Sequence, residues 1–230
     1  MSSPRTFTFT QKRPVVSATV VGEPATAEAI EATPVLRRPS LETAVQFGGP
    51  VVRRLLEQVP LRGDRSYVTV DTKVTLLMPG WYPAIPGWHT DGVPRGADLR
   101  PDGKGAPRLD EQVDMGEGPR YHVISVGLDS PTEFIDQTFD LEMEHYDSTQ
   151  LYAELTRKVE TLVQNGDLST VAVSDRWVSW DWWNVHRAIP ATATGWRLLI
   201  RVTESDQLKP RTADFIRAQS QVYVPVEFGW

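Results

Sequence analysis

The sequence predicts a mainly β protein whose strands form a closed barrel or a sandwich, with a few helices at its side. Several short segments alternate apolar and polar residues and are rich in β-branched and aromatic residues, as strands are. Few segments have helical spacing, and helices and strands alternate too irregularly for a parallel sheet. The 230 residues are within the range of a single β domain.

The composition is that of an ordinary globular protein with restricted metal chemistry. Hydrophobic residues make up 40% of the chain and charged residues 23%. A net charge of −6 gives no general attraction to nucleic acid or to anionic membranes. The chain has no cysteine and four histidines, which excludes disulfides, thiolate zinc sites, iron–sulfur clusters and cysteine nucleophiles. Any metal must therefore be bound by histidine and carboxylate ligands.

The sequence contains no recognisable targeting or membrane segment. Its first residues lack the apolar region of a signal peptide, and no apolar run approaches the roughly 18 residues that span a bilayer. We therefore expect a cytoplasmic protein that does not interact with membranes.

Residues 1–40 are predicted to form an extended arm that precedes a single domain at 41–230. The arm has strand-like pieces at 6–10 and 15–21. It can lie across its own domain or reach a neighbouring subunit in a homo-oligomer. The arm is marked by five prolines: Pro4, Pro14, Pro24, Pro34 and Pro39.

The domain begins with a predicted helix at 40–61, with Ser40 as its N-cap and an interruption near residues 48–50. A strand at 67–77 follows, because the residues alternate and are often β-branched. Residues 78–120 are crowded with glycine, proline and charged residues, which predicts a long loop. Its second part, residues 92–120, is the expected lid over a binding site.

The second half of the domain alternates again between strands and helices. A helix is predicted at 149–165, with an apolar stripe that ends before Gly166. A short helix at 213–221 and an extended segment at 222–226 end the chain. Further strands are predicted at 121–128, 131–135, 169–173, 177–189 and 196–203.

Two histidines and one aspartate have the spacing of metal ligands. His89 and Asp91 are two residues apart, so in an extended backbone both side chains point to the same side. His186 lies in a strand-like segment much later in the chain, and Arg197 follows it after a turn. Two imidazoles and one carboxylate on one face leave three positions of an iron(II) ion open to other ligands.

The order of these residues resembles the iron(II)- and 2-oxoglutarate-dependent dioxygenases. That family has H-x-D or H-x-E on an early strand, a second histidine on a late strand, and an arginine or lysine about ten residues further on. The segment H-R-A-I-P-A-T-A-T-G-W-R, which begins at His186, is similar to the family's segment from the second histidine to that arginine, H-x-x-x-P-x-x-x-x-G-x-R. The resemblance covers roughly residues 67–205.

The resemblance implies a fold, two cofactors and a role for each residue. The fold is a double-stranded β-helix, related to jelly rolls and cupins, with helices on one side. The cofactors are Fe(II), held by His89, Asp91 and His186, and 2-oxoglutarate, whose distal carboxylate pairs with Arg197. Arg201 shares the face of Arg197 by strand parity and competes with it for that role. The activity is hydroxylation coupled to decarboxylation of 2-oxoglutarate.

Each of these residues also has an ordinary structural interpretation. Asp91 and Gly92 form a dipeptide common in turns. His186 can be a hydrogen-bonded core histidine, and Arg197 can pair with a surface carboxylate. His122, at the start of a strand, is the first substitute if His89 is not a ligand. His145 lies in an acidic run without a ligand at suitable spacing, so we expect it on the solvated surface.

Tryptophans are concentrated near both halves of the proposed metal site. If the strand at 177–189 is unbroken, Trp180, Trp182 and Asn184 share the face of His186. Core packing is the ordinary role of such rings. The functional prediction is an aromatic wall around a substrate pocket. The residues proposed for that wall are Trp81, Tyr82, Trp88, Trp180 and Trp182.

Two alternative functions and one alternative partner stay open. The chain can be a jelly-roll protein that acts in binding or assembly without a metal, or a cupin-like enzyme with a metal and no keto acid. The expected partner is a small-molecule substrate. Nucleic acid is the less favoured choice, for which a basic strip in the lid would be needed: Arg95, Arg100, Lys104 and Arg108.

Overall fold

The computed structural model describes residues 3–22, 24–84, 86–91, 109–146, 150–210 and 218–219. The helices are α1 (Ala27–Glu31), α2 (Leu41–Phe47), α3 (Gly49–Leu56), α4 (Leu109–Asp114) and α5 (Leu151–Gln164). The strands are β1 (Arg5–Phe9), β2 (Val15–Val16), β3 (Val35–Ser40), β4 (Tyr67–Leu77), β5 (Arg120–Gly127), β6 (Thr132–Ile135), β7 (Phe139–Met143), β8 (Thr170–Val173), β9 (Val178–Asp181), β10 (His186–Ala188), β11 (Gly195–Ser205) and β12 (Ala218–Gln219).

The described strands form three antiparallel sheets. The largest has seven strands in the order β12-β3-β4-β11-β5-β9-β2, the second has the order β10-β6-β8, and β1 pairs with β7. Every strand pairing within them is antiparallel. The predicted mainly β class is therefore confirmed, and the arrangement is consistent with a β-sandwich.

The large sheet separates two hydrophobic cores because side chains alternate along its strands. On β11, Leu198 and Ile200 pack on one face with α2 and α3. Leu199 packs on the opposite face, in the core that also contains Phe134 of the second sheet. Arg197 and Arg201 share the face of Leu199, so the sequence parity that groups these arginines holds in the fold.

Several helix and strand predictions are confirmed. The Ser40 hydroxyl accepts a hydrogen bond from the backbone N–H of Thr43 at 3.1 Å, and the helical segment is interrupted at Gly48. Strand β4 covers the predicted residues 67–77, and α5 lies within the predicted helix at 149–165. Strands β3 and β7 were not predicted. In β3, Pro39 and the positive φ of Arg38 (54°) interrupt the alternating pattern by which strands are recognised.

The prediction of one strand at 177–189 is wrong. The chain turns after Asp181, where the Asn184 side chain accepts a hydrogen bond from the Asp181 N–H at 2.9 Å and the Asp181 carboxylate accepts one from the Trp183 N–H at 2.9 Å. Strand β9 belongs to the large sheet and β10 to the second sheet. Strand parity therefore does not relate Trp180, Trp182 or Asn184 to His186.

The described part of the N-terminal arm lies across its own domain. Strand β1 pairs with β7, β2 pairs with β9, and β3 pairs with β4. Phe7 and Phe9 are buried in the core between the sheets. This is the first of the two arrangements considered for the arm.

Some predictions fall on parts of the chain outside the described residues. These are residues 92–108 of the proposed lid, with its four basic residues, and the extended segment at 222–226. Within the predicted helix at 213–221 only residues 218–219 are described, and they form strand β12, so a helix is wrong there. None of the described helices is long and apolar enough to cross a membrane.

Candidate functional site

His89 and His186 are brought together by a β-bridge. The His89 N–H donates to the His186 carbonyl at 3.0 Å, and the His186 N–H donates to the His89 carbonyl at 2.9 Å. The centroids of their imidazole rings are 4.5 Å apart. The bridge therefore joins two segments that are far apart in the sequence, and Asp91 lies two residues beyond it. We call His89, Asp91 and His186 the triad.

Both imidazoles are oriented by backbone carbonyls. The Nδ1 atom of His89 lies 2.9 Å from the Gly87 carbonyl, and Nδ1 of His186 lies 3.1 Å from the Asn184 carbonyl. A carbonyl only accepts hydrogen bonds, so each Nδ1 carries a proton, and in the neutral form of either ring the lone pair is on Nε2. Gly87 has a φ of 96°, which favours glycine, and a Cβ there would lie 2.7 Å from the Thr156 hydroxyl.

The Asp91 carboxylate is held by three neighbours. Trp180 Nε1 donates to Asp91 Oδ2 at 3.0 Å. Nε2 of His186 lies 4.0 Å from the same oxygen, and a guanidinium nitrogen of Arg201 lies 3.6 Å from Oδ1. The side chain of Asp91 is 15% exposed. These contacts fix the carboxylate beside the two imidazoles.

The protonation states of His186 and Asp91 suit metal binding at neutral pH. Burial, together with the positive charge that His89 would carry, lowers the pKa of His186 to about 4. Burial alone would raise the pKa of Asp91, but the charges of His186, Arg201 and His89 and the Trp180 hydrogen bond lower it. The His186 ring is therefore neutral and the Asp91 carboxylate ionised, as metal ligands must be.

The His186 and Asp91 side chains are farther apart than two ligands of one bound ion. Metal–ligand bonds of about 2.1 Å place neighbouring ligand atoms about 3 Å apart, against 4.0 Å between His186 Nε2 and Asp91 Oδ2. Within the described parts of the chain, no group of three His, Asp or Glu side chains has the spacing of a metal site. The donor types fit iron(II), and the ligand atoms of His186 and Asp91 must come about 1 Å closer together to hold it.

The triad lines a cavity of about 330 Å³ between the large sheet and the second sheet. Arg197 also lines it and is only 2% exposed. Its Nε donates to the Ser130 carbonyl at 2.9 Å. No acidic side chain of the described residues pairs with it, and burial lowers its pKa to about 10. A buried guanidinium without an acidic partner is suited to bind an anion.

Arg201 is already paired, in contrast to Arg197. Its guanidinium lies 3.4 Å from Asp71 Oδ2 as well as 3.6 Å from Asp91 Oδ1, and it packs over the Tyr121 ring. These contacts place it beside the triad carboxylate. Arg197 is therefore the better candidate for an incoming carboxylate.

The predicted aromatic wall is mostly elsewhere. Of the five residues proposed, only Trp180 lines the cavity. Trp81 and Tyr82 are exposed at 55% and 46%. Trp88 is buried, donates to Glu160 at 2.9 Å and packs under the Arg187 guanidinium, while Trp182 packs in the core against Gly118. The break in the strand explains why Trp182 does not line the cavity. Trp182 lies in the turn between β9 and β10, so strand alternation does not place it on the face of His186.

The other two histidines bind carboxylates instead of completing the triad. His122 is buried on β5, with Nε2 2.8 Å from Glu204 and Nδ1 2.7 Å from the Ser179 hydroxyl. Both of its ring nitrogens are thus bonded, and His122 does not line the cavity of the triad. His145 is half-exposed, but its Nδ1 lies 3.1 Å from Glu154. Its side chain is 41% exposed, as expected for a histidine on the solvated surface.

Asp71 and Lys73 are among the polar residues of the cavity wall that were not predicted as part of the site. Both lie on β4 and line the cavity with the triad. They share one face of a strand that the sequence does predict, so parity groups them. The pairing of β4 with β11 was the missing information, because it brings this face beside Arg197 and Arg201.

Comparisons with known proteins give no match. The sequence matches no protein-family model and no curated protein, and the fold matches no solved structure.

Proposed function

We propose that this protein is a non-haem iron(II) dioxygenase that couples decarboxylation of 2-oxoglutarate to hydroxylation of a small-molecule substrate. The observation that carries the proposal is the convergence of the triad with the buried Arg197 on one cavity. Bound iron(II) would supply oxygen activation, which no side chain of the triad provides alone. The cavity volume of about 330 Å³ suits small ligands.

The strand pairing supports a double-stranded β-helix for this function. The described chain pairs β4 with β11, residue 89 with β10, β5 with β9, and β6 with β8. The first half of the domain thus pairs with the second half in reverse order. Successive segments also alternate between the two sheets, as expected for a chain folded back on itself and then wound into a jelly roll.

The residues have distinct roles in the proposed site. Nε2 of His89, Nε2 of His186 and the Asp91 carboxylate would hold the metal. Arg197 would bind the distal carboxylate of 2-oxoglutarate, because its guanidinium has donors free of any acidic partner among the described residues. Trp180 and Arg201 keep the Asp91 carboxylate in place through its two oxygens.

A second candidate is a jelly-roll binding protein without a metal. The wide spacing between His186 and Asp91 favours it, since a metal is not needed to explain the contacts that these residues make. The arm gives no support for an assembly role, because its described strands pair within the chain.

Anaerobic titration with iron(II) and 2-oxoglutarate tests the proposal. We expect a weak visible charge-transfer band in the wild-type protein, and its loss in Asp91→Ala and His186→Ala. Lys12→Met, a change at an exposed side chain that does not line the cavity, should keep the band. A folded wild-type protein that gives no band would sink the proposal and leave the binding protein as the function.

A further inference from the structure

A lysine lines the cavity beside Arg197. Lys73 is on β4, where it pairs with Leu199 of β11, while Arg197 pairs with Thr75. Lys73 and Arg197 are therefore diagonal neighbours across the two strands, and both line the cavity of the triad. Long side chains at such positions can reach a common point.

The Lys73 ammonium has one neutral partner and no acidic one among the described residues. Its Nζ donates to the Pro83 carbonyl, in the segment before His89. An ammonium has three donors, so two remain for a ligand. Burial, followed by the nearby charges of Arg197 and Arg37, lowers the pKa of Lys73. Lys73 as a whole is exposed, so its ammonium is accessible from solvent as well as from the cavity.

Two like charges without an acidic partner among the described residues, on neighbouring positions of one cavity wall, are unfavourable until an anion lies between them. Arg201 on the same wall differs from Lys73 and Arg197, because it is already paired with Asp71 and Asp91. We propose that Lys73 and Arg197 together form a carboxylate-binding site, with Lys73 as a second ligand-binding residue that complements the guanidinium. The site rests on the proposed function only for the identity of its ligand as 2-oxoglutarate.

Metal-free protein titrated with glutarate tests this site separately from the metal chemistry. Calorimetry should show that the wild-type protein binds glutarate and does not bind the uncharged glutaramide. In Lys73→Met we expect the dissociation constant to rise about tenfold, as for loss of one charge-assisted contact. Lys73→Arg should restore most of the affinity. Lys12→Met is the matched control and should bind as the wild type does.

Two outcomes overturn the site: no glutarate binding by the wild type, or a Lys73→Met protein with unchanged affinity. If Lys73 acts only by holding the Pro83 carbonyl, the variant will lose thermal stability but keep its glutarate affinity. Arg197→Met should abolish binding, and the Lys73 variants decide the question if it does not fold. Glutarate binding without the anaerobic band would sink the proposed dioxygenase and leave the carboxylate site standing.

Discussion

The carboxylate of Asp91 is positioned by a tryptophan from another sheet segment. Trp180 donates to Oδ2 at 3.0 Å, and its ring also lies edge-on to the His186 ring, with centroids 5.6 Å apart. One side chain therefore contacts two of the three proposed metal ligands. Groups that orient a ligand in this way affect metal affinity without binding the metal themselves.

We predict that Trp180→Phe weakens iron(II) binding by about tenfold, because the ring is kept and the hydrogen bond to Asp91 is lost. The measurement is an anaerobic iron(II) titration, with the circular dichroism spectrum as a check on folding. Trp81→Phe is the matched control, since Trp81 is exposed and away from the cavity. Equal affinities for the two variants would show that the Trp180 hydrogen bond does not position Asp91.

The sequence predicts part of this site because the relevant information is local. The i, i+2 spacing of His89 and Asp91 requires only an extended backbone, and Arg197 and Arg201 share a face of one strand. The role of Lys73 could not be predicted in the same way. It depends on the pairing of β4 with β11, which joins residues more than a hundred positions apart.

At the scale of elements, a buried carboxylate of helix α5 binds the backbone of the segment that follows β7. Glu154 accepts hydrogen bonds from the backbone N–H groups of Glu144 and His145, and the Lys158 ammonium lies 2.6 Å away. Burial alone would raise the pKa of Glu154, but the Lys158 and backbone hydrogen bonds outweigh it and lower the pKa to about 2.

The pH dependence of stability should show this contact. Because the pKa of Glu154 is lower in the folded chain than its ordinary value of 4.5, the contribution is full above about pH 4.5 and is lost as the pH falls towards 2. We predict that Glu154→Gln lowers the free energy of unfolding by about 2 kcal/mol at pH 7, with a smaller difference at lower pH.

Urea unfolding from pH 7 down to pH 3 measures that difference. Glu142→Gln is the control, because Glu142 is exposed and its carboxylate makes no hydrogen bond to this cluster. A constant difference between Glu154→Gln and the wild type over the whole pH range would contradict the assignment.

The break between β9 and β10 marks the limit of sequence prediction at this scale. Residues 177–189 have the β-branched and aromatic composition of one strand. The turn depends on side-chain hydrogen bonds of Asp181 and Asn184, whose residue types also occur inside strands and loops. Composition therefore predicts extended chain here, and only the pairing of β9 and β10 with different sheets shows where it turns.

For the whole molecule, the N-terminal arm supports the turn that positions His186. The Thr10 N–H donates to the Trp183 carbonyl at 2.8 Å, and the Asn184 side chain donates to the Lys12 carbonyl at 2.8 Å. Phe9 is fully buried, stacks on Phe139 and contacts Trp183 edge-on. The arm thus contacts both β7 and the turn between β9 and β10, and Asn184 in that turn is two residues before His186.

We therefore predict that Phe9→Ala destabilises the whole domain and also weakens metal binding. Loss of a fully buried phenylalanine costs about 3–5 kcal/mol, a large part of the ordinary stability of a domain. Urea unfolding measures this loss, and an iron(II) titration of the folded variant measures the effect on the site. Thr8→Ala is the control, because Thr8 lies on the exposed side of β1, where it bonds to Asp140. A Phe9→Ala protein as stable as Thr8→Ala would mean that the arm is not part of the core, and the support that it gives to His186 would then be excluded.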